Sequence, residues 1–265
     1  MADEVLLHIR NVNLTLGGTH ILRGVNGEIK KVVGHGQVVG LLGPSGIGKT
    51  QMFRVLSGLQ APTSGTITIN THEVAVHAGL VGVVAQDYQL FRHYTVKKNL
   101  LIGAKQGDLT EAEGKDKITA LLNRFDLTDK MDLYPKELSG GQRQRIAIAQ
   151  QVLCSKHFLL MDEPFSGLDP LMLDEVCNMI TEVANMDGLN TIIVVTHDIR
   201  AAIKVADTLW LMGRDRDKDN KIIPGAYIKY EYDLKARGLA YHPELSATQK
   251  FTDFAKEIKD QFKTL

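Results

Sequence analysis

The sequence predicts an α/β fold: a largely parallel sheet covered by helices and interrupted by an all-helical insertion. Three observations predict it. Short, glycine-bounded apolar runs alternate with helix-period patterns along most of the chain. One of those runs leads directly into a glycine-rich turn followed by a helix. From about Thr95 to Ser139 the strand signal disappears altogether.

The elements follow in order. Val38 to Leu42 reads as a buried strand, and Thr50 to Leu59 as a helix. Gly65 to Ile69 and Leu80 to Val84 read as further strands. Thr110 and Glu113 have the spacing of a capping box, in which hydroxyl and carboxylate reciprocally satisfy free N–H groups. Ile118, Leu121, Leu122 and Phe125 follow at helical spacing and form one apolar face. Strands are expected again over His157 to Met161, Thr191 to Val195 and Asp207 to Met212. Between the first two, Leu173, Val176, Cys177 and Ile180 line a helix. Arg214 to Asn220 is densely charged and reads as a solvated loop. Its alternating aspartates are not an EF-hand, because Asn220 and Ala226 stand where Gly and Glu are required. Ser246 to Gln249 reads as a second capping box. The helix after it carries Phe251, Phe254, Ala255, Ile258 and Phe262, a face that docks on its own chain or on a partner.

Composition narrows the function. Lys plus Arg (31) equals Asp plus Glu (31), so no nucleic-acid partner is expected. No run of 18 apolar residues offers a bilayer span, and the Met1–Glu4 start has no leader pattern. The expectation is a cytoplasmic chain that meets a membrane only through a partner. Cys154 and Cys177 are too few for a disulfide framework and read as core packing.

Gly43, Pro44, Ser45, Gly46, Ile47, Gly48, Lys49 and Thr50 match the phosphate-binding pattern G-x-x-x-x-G-K-[ST]. Glycines let consecutive backbone N–H groups turn toward an anion, and the helix that follows presents its positive end. Lys49 supplies a full charge, and the Thr50 hydroxyl a ligand for Mg²⁺. By itself the pattern fits any nucleoside triphosphatase. Asp162 and Glu163 end an apolar strand, where an acid holds Mg²⁺ and its neighbour serves as general base. Gln86 follows one apolar run and is placed to reach the metal or the attacking water. His197 follows another and is placed to donate to a γ-phosphate. Ser139, Gly140, Gly141 and Gln142, after Leu138, form a second anion-ready helix start.

With that segment the chain resembles the ATPase subunits of ABC transporters. Gly43–Thr50 is similar to their Walker A, Phe158–Asp162 with Glu163 to Walker B, and Leu138–Gln142 to the signature motif. Gln86 resembles the Q-loop glutamine, Ser166–Asp169 the D-loop, and His197 the switch histidine. The six occur in the family's order, and the resemblance spans roughly residues 5 to 215. It implies a P-loop NTPase (RecA-like) core with an antiparallel β edge and an inserted helical subdomain. The implied division is 1–94 and 150–222 for the core, 95–149 for the subdomain and 223–265 for an extension. It also implies ATP and Mg²⁺ as cofactors. Gln51 and Asp169 join the nucleotide contacts. Catalysis falls to Glu163, His197 and Gln86, and the metal to Thr50, Gln86 and Asp162.

Further implications concern assembly. Two ATPase subunits, identical or paired, close head to tail on two ATP molecules. A separate integral-membrane permease, accompanied in importers by a solute-binding protein, takes up the work on the inner face of the membrane. Tyr88, Leu90 and Phe91 line either the permease groove or the core. Two departures stand out: Leu16 occupies the adenine-stacking position, and Lys30 to Gln37 is longer than the pattern. The tail around Tyr232–Leu234 and Arg237–Leu239 resembles nitrate, sulfonate and taurine importers, which points to a small anionic solute. The rival reading is a soluble ABC ATPase of DNA repair or translation. Such proteins carry long coiled-coil insertions or tandem cassettes, and neither pattern is present in these residues.

Overall fold

The computed structural model describes residues 4–32, 34–69, 72–155, 157–188, 190–240 and 245–265. The start of the chain before Glu4, and Val33 within the long 30–37 segment, lie outside them.

Two sheets organise the fold. The larger has six strands: β3 (Gln37–Leu42), β6 (Gly82–Val84), β7 (Phe158–Asp162), β8 (Thr191–Thr196), β9 (Thr208–Gly213) and β10 (Tyr227–Asp233). Their order is β10-β9-β3-β8-β7-β6, parallel except for β10, which pairs antiparallel with β9. The smaller sheet is antiparallel throughout, in the order β2-β1-β4-β5. It comprises β1 (Val5–Leu16), β2 (Thr19–Lys30), β4 (Ser64–Ile69) and β5 (Val74–Ala75). The antiparallel component is therefore mostly a separate sheet packed on the first, with β10 alone forming an antiparallel edge of the main one. The β1–β2 hairpin turns at Gly17 and Gly18, both left-handed as a two-residue turn requires.

Side-chain alternation sorts the core. Val38, Leu159, Met161, Ile192 and Val194 face the helices α2 (Val96–Gln106), α3 (Glu111–Arg124), α4 (Gly140–Cys154) and α5 (Pro170–Ala184). Their neighbours Val39, Phe158, Leu160, Ile193 and Val195 face the small sheet and α1 (Lys49–Leu56). Strands buried on both faces need apolar residues at every position, which is why these runs read as continuous rather than alternating. The face of α3 predicted from Ile118, Leu121 and Leu122 is buried, and the Thr110–Glu113 box is formed. Between 95 and 139 the described residues form only helices and two short 3-10 turns. Buried Asn99 ties this region together: its side chain accepts from Phe91 N at 2.8 Å, and its carbonyl accepts from Gln150 Nε2 at 2.9 Å.

Four readings need correction. The first helix stops at Leu56 rather than Leu59, because Ser57 caps it and Gly58 turns left-handed. Strand β6 begins at Gly82, since Leu80 N closes a turn on His77 O. The last helix, α7 (Gln249–Phe262), is capped by Thr248 rather than by a Ser246–Gln249 box. Leu245 is buried and holds a 3-10 turn ahead of it, which delays the helix by two residues. Arg214 and Asp215 are half-buried and bonded, so the charged loop is solvated only beyond them. Of the two fates weighed for the α7 face, docking on its own chain is observed. Phe251, Phe254 and Ile258 pack with Tyr232, Leu234 and the helix α6 (Ile199–Val205).

Candidate functional site

Central strand β3 aims the chain at the site. After Leu42 the backbone curls through Gly43–Gly48, where Gly46 (φ 77°) and Gly48 (φ 117°) adopt left-handed conformations closed to most side chains. A Cβ on Gly43 would meet Ile47 Cγ2 at 2.9 Å, so a side chain there would disturb the loop. Helix α1 starts without a side-chain cap and without an acid in its first turn. Its first N–H groups therefore face outward with a partial positive charge, the configuration that binds an anion.

Lys49 is buried, and its Nζ donates to Gly43 O at 2.8 Å and Pro44 O at 3.3 Å. Burial lowers its pKa, while the charges of Glu163 and Asp162 oppose that shift. Burial raises the pKa of Asp162, with Glu163 adding to it and Lys49 opposing. The cradle and the two acids at the end of β7 thus share one electrostatic environment. The attraction between Lys49 and the acids opposes the effect of burial at Lys49 and Asp162 without cancelling it.

Glu163 follows β7 in a left-handed conformation (φ 47°), and its N–H donates to Val195 O at 2.8 Å. This turn lays the carboxylate across the end of β8. Oε1 lies 2.8 Å from His197 Nδ1, and Oε2 accepts from Thr196 Oγ1 at 2.9 Å. A neutral imidazole donating from Nδ1 leaves Nε2 an acceptor. Donation from both nitrogens requires the doubly protonated ring. Thr196 also accepts from Asp198 N at 3.1 Å, and Asp198 caps α6 through Ala201 N. Gln86 Nε2 reaches Ser166 Oγ at 3.3 Å, linking the turn after β6 to the loop after Glu163. Thr50 is exposed beside the cradle.

Ser139 caps α4, and with Gln142 it makes a reciprocal box: Ser139 N donates to Gln142 Oε1 at 2.9 Å, and Gln142 N to Ser139 Oγ at 3.2 Å. Gly140 has open space around it, so a ligand can approach its backbone. Asp169 caps α5 by accepting from Leu171 N and Met172 N, so its carboxylate is engaged in structure. Lys49, Asp162, Glu163 and His197 are joined by charge or hydrogen bond, whereas the Ser139 turn packs instead toward α5, with Gly141 facing Met172. One chain therefore presents two separate helix starts with glycine backbone at their ends.

The model of the ABC transporter family matches residues 13–166, more than half of the chain. The chain belongs to the ABC transporter family. The match covers the ATP-binding domain from the end of β1 past Glu163. This ABC domain is 38% identical over 215 residues to the sulfate/thiosulfate import ATP-binding protein CysA of Pectobacterium atrosepticum, covering 78% of this chain and 64% of that protein. It is 36% identical to the L-cystine import ATP-binding protein TcyC of Bacillus subtilis, covering 76% and 84%. The chain spans just under two thirds of the length of the CysA relatives. Among solved structures, cbiO1 of Clostridium perfringens, part of the transporter complex cbiONQ, superposes with a TM-score of 0.73 at 26% identity, covering 97% of this chain and all of that one. A dimeric ATP-binding cassette holding ADP and phosphate shares the fold at a TM-score of 0.66 and 24% identity, covering 86% of this chain and 99% of that one. The importer-like resemblance is supported by these relatives. The nitrate, sulfonate and taurine grouping gains no support from them.

Two residues of the ABC domain's site escaped the sequence reading. Thr196 lies one residue past the predicted Thr191–Val195 strand, and Arg214 reads as the start of a solvated loop. Nothing local signals either contact, since both partners lie far away in sequence.

Proposed function

We propose that the chain is the ATP-binding and ATP-hydrolysing subunit that energises a separate membrane permease, in an importer of a small anionic solute. The observation that carries this reading is the shared charge environment of Lys49, Asp162 and Glu163 behind an uncapped helix start. That arrangement fits a triphosphate with its ion better than a neutral ligand.

The roles follow from the geometry. The Gly43–Gly48 backbone and Lys49 hold the β- and γ-phosphates, with Ser45 and Gln51 at the rim. Among the described residues no three His, Cys, Asp or Glu side chains cluster as a metal site. A bound Mg²⁺ would therefore share its ligands with the nucleotide. The Thr50 hydroxyl, Asp162 carboxylate and Gln86 amide are oxygen donors of the kind it takes, and they would hold an ion that would supply positive charge beside the phosphates. Glu163 accepts the proton of the attacking water, and His197 and Thr196 fix the direction of its carboxylate.

A second copy, or a paired ATPase, completes the site. Its Ser139–Gln142 turn, with open space at Gly140, closes on the γ-phosphate, and Asp169 sits at the same boundary. ATP drives closure only because this contact exists in the closed state alone. The residue division into core (1–94, 150–222), helical subdomain (95–149) and extension (223–265) belongs to this reading. A cleft of about 680 Å³ beside Gln86, lined by Tyr88, Leu90, Arg92, Lys136 and Arg143, is the seat for the permease. No described helix is long and apolar enough to cross a membrane. The chain would then attach to the cytoplasmic face through that permease, with a solute-binding protein on the far side.

Affinity purification from detergent-solubilised membranes, with phosphate release measured on the eluate, tests this. Co-purification of a multi-span protein with ATPase activity is expected. Recovery of the chain with ribosomes or DNA alone would overturn the transporter reading.

A further inference from the structure

The charged segment after β9 has no part in the mechanism above, yet its first residue reaches the phosphate loop. Arg214 Nη2 donates to Gly46 O at 3.0 Å and to Ile47 O at 3.4 Å. In a loop that turns its N–H groups inward to an anion, carbonyls point outward. Arg214 holds two consecutive outward carbonyls, while Lys49 holds Gly43 O and Pro44 O. Between them, two cations take four carbonyls of the cradle.

Arg214 is itself held. Gly213 pairs with Tyr227 across β9 and β10, and Lys229 Nζ donates to Arg214 O at 3.0 Å. The next residue, Asp215, accepts from Arg23 Nη2 at 3.0 Å and from Tyr227 OH at 2.7 Å. The Arg214 Nε is buried with no hydrogen-bond partner. Among the described residues the hydrogen bonds of this guanidinium both run from Nη2, which is committed to the loop. Among the described residues no carboxylate forms an ion pair with Arg214, and its two hydrogen bonds go to neutral carbonyls.

Resting on the ATP-binding reading of the same loop, we propose that Arg214 is a positioning residue for nucleotide affinity. It acts through the Gly46–Ile47 peptides. By accepting from a guanidinium, each carbonyl becomes more polarised; the N–H linked to Gly46 O, that of Ile47, closes the loop on Pro44 O at 3.3 Å, and the N–H linked to Ile47 O, that of Gly48, becomes a stronger donor toward phosphate. The contact also fixes the left-handed Gly46 in its binding conformation before ATP arrives, and it places a positive charge behind the cradle.

The test uses the full chain and mant-ATP titration, with steady-state ATPase kinetics beside it. Arg214→Met removes hydrogen bonds and charge, Arg214→Gln keeps a donor without charge, and Arg214→Lys keeps charge without the fork. Arg214→Met is expected to raise Kd and KM about tenfold, equivalent to about 1.4 kcal/mol. Its kcat at saturating ATP should stay within about twofold of wild type. Arg214→Lys should recover part of the loss, and in about 0.5 M salt the gap between Lys and Gln variants should narrow as charge is screened. A merely structural role would lower the amount of folded protein without splitting KM from kcat. If Arg214→Met folds poorly, the Lys and Gln variants carry the comparison. Unchanged Kd in the folded variants, or a loss confined to kcat, would overturn the proposal and leave the ATP site standing. Failure of the wild-type chain to bind mant-ATP would overturn both.

Discussion

Replacing Glu163 with glutamine separates the chemistry of this site from its architecture. The carboxylate is 17% exposed and bonded at both oxygens, to His197 Nδ1 and Thr196 Oγ1. Glutamine has the same shape, keeps one oxygen acceptor, and places an NH₂ where the other oxygen was. Thr196 can rotate its hydroxyl to accept, or His197 can present an unprotonated Nδ1, so the fold loses about one hydrogen bond, roughly 1 kcal/mol. The water loses its base, which is worth about 10²–10⁴ in rate, or about 2.7–5.4 kcal/mol of barrier. ATP binding should change little, since Lys49 and the Gly43–Gly48 backbone are untouched. The assay is phosphate release at saturating ATP and Mg²⁺, with mant-ATP affinity measured on the same protein. A rate within about threefold of wild type would remove Glu163 from the base role. A Kd weakened in proportion to the rate would show instead that the residue binds rather than reacts.

Three further outcomes follow from packing and burial. Phe254→Ala should cost about 3–5 kcal/mol in denaturant unfolding, because Phe254 is buried, stacks edge-on to Tyr232 at 5.4 Å and carries Arg237 over its face. A loss below about 1 kcal/mol would mean α7 is not docked. Burial pushes the Cys177 thiol up to about 12 from 9.0, so it stays protonated in the folded chain. Its contribution to stability should be fully present below about pH 9 and be lost as pH climbs through the folded value. At about pH 8, Ellman's reagent should reach Cys177 only after denaturant is added, and fast native labelling of that thiol would contradict its burial. Gly65→Ala and Gly141→Ala should behave oppositely. At Gly65 (φ 85°) a Cβ would sit 2.3 Å from a backbone oxygen, whereas at Gly141 it meets only the flexible end of Met172 at 2.9 Å. Thermal melts should show a large loss for the first and a small one for the second.

Much of this was legible because it is local. The strands of the parallel sheet announce themselves as apolar runs since both their faces are covered, and the Thr110 and Ser139 caps are visible as residue spacings. The phosphate cradle is equally local: eight consecutive residues determine its shape. What escaped is set by partners distant in sequence. Leu245 is buried by α6 and β9, so the cap moves from Ser246 to Thr248. Arg214 looks like any basic residue beside three aspartates until folding brings Gly46 to it, 168 positions away. The β1–β2 hairpin turns at the left-handed pair Gly17–Gly18, which the apolar-run pattern passes over. Its strands alternate buried and exposed less regularly, because several register shifts interrupt the pairing.

The central claim is that two copies complete each other's nucleotide site. The direct measurement is disulfide formation between Ser45→Cys on one chain and Ser139→Cys on another. Both chains would carry Glu163→Gln to retain ATP, and Cys154 and Cys177 would be replaced. Both engineered positions are exposed in the single chain. Mixed chains should cross-link rapidly with ATP and Mg²⁺ and remain monomeric on gels without them. Absence of the link while mant-ATP is demonstrably bound would contradict the shared site.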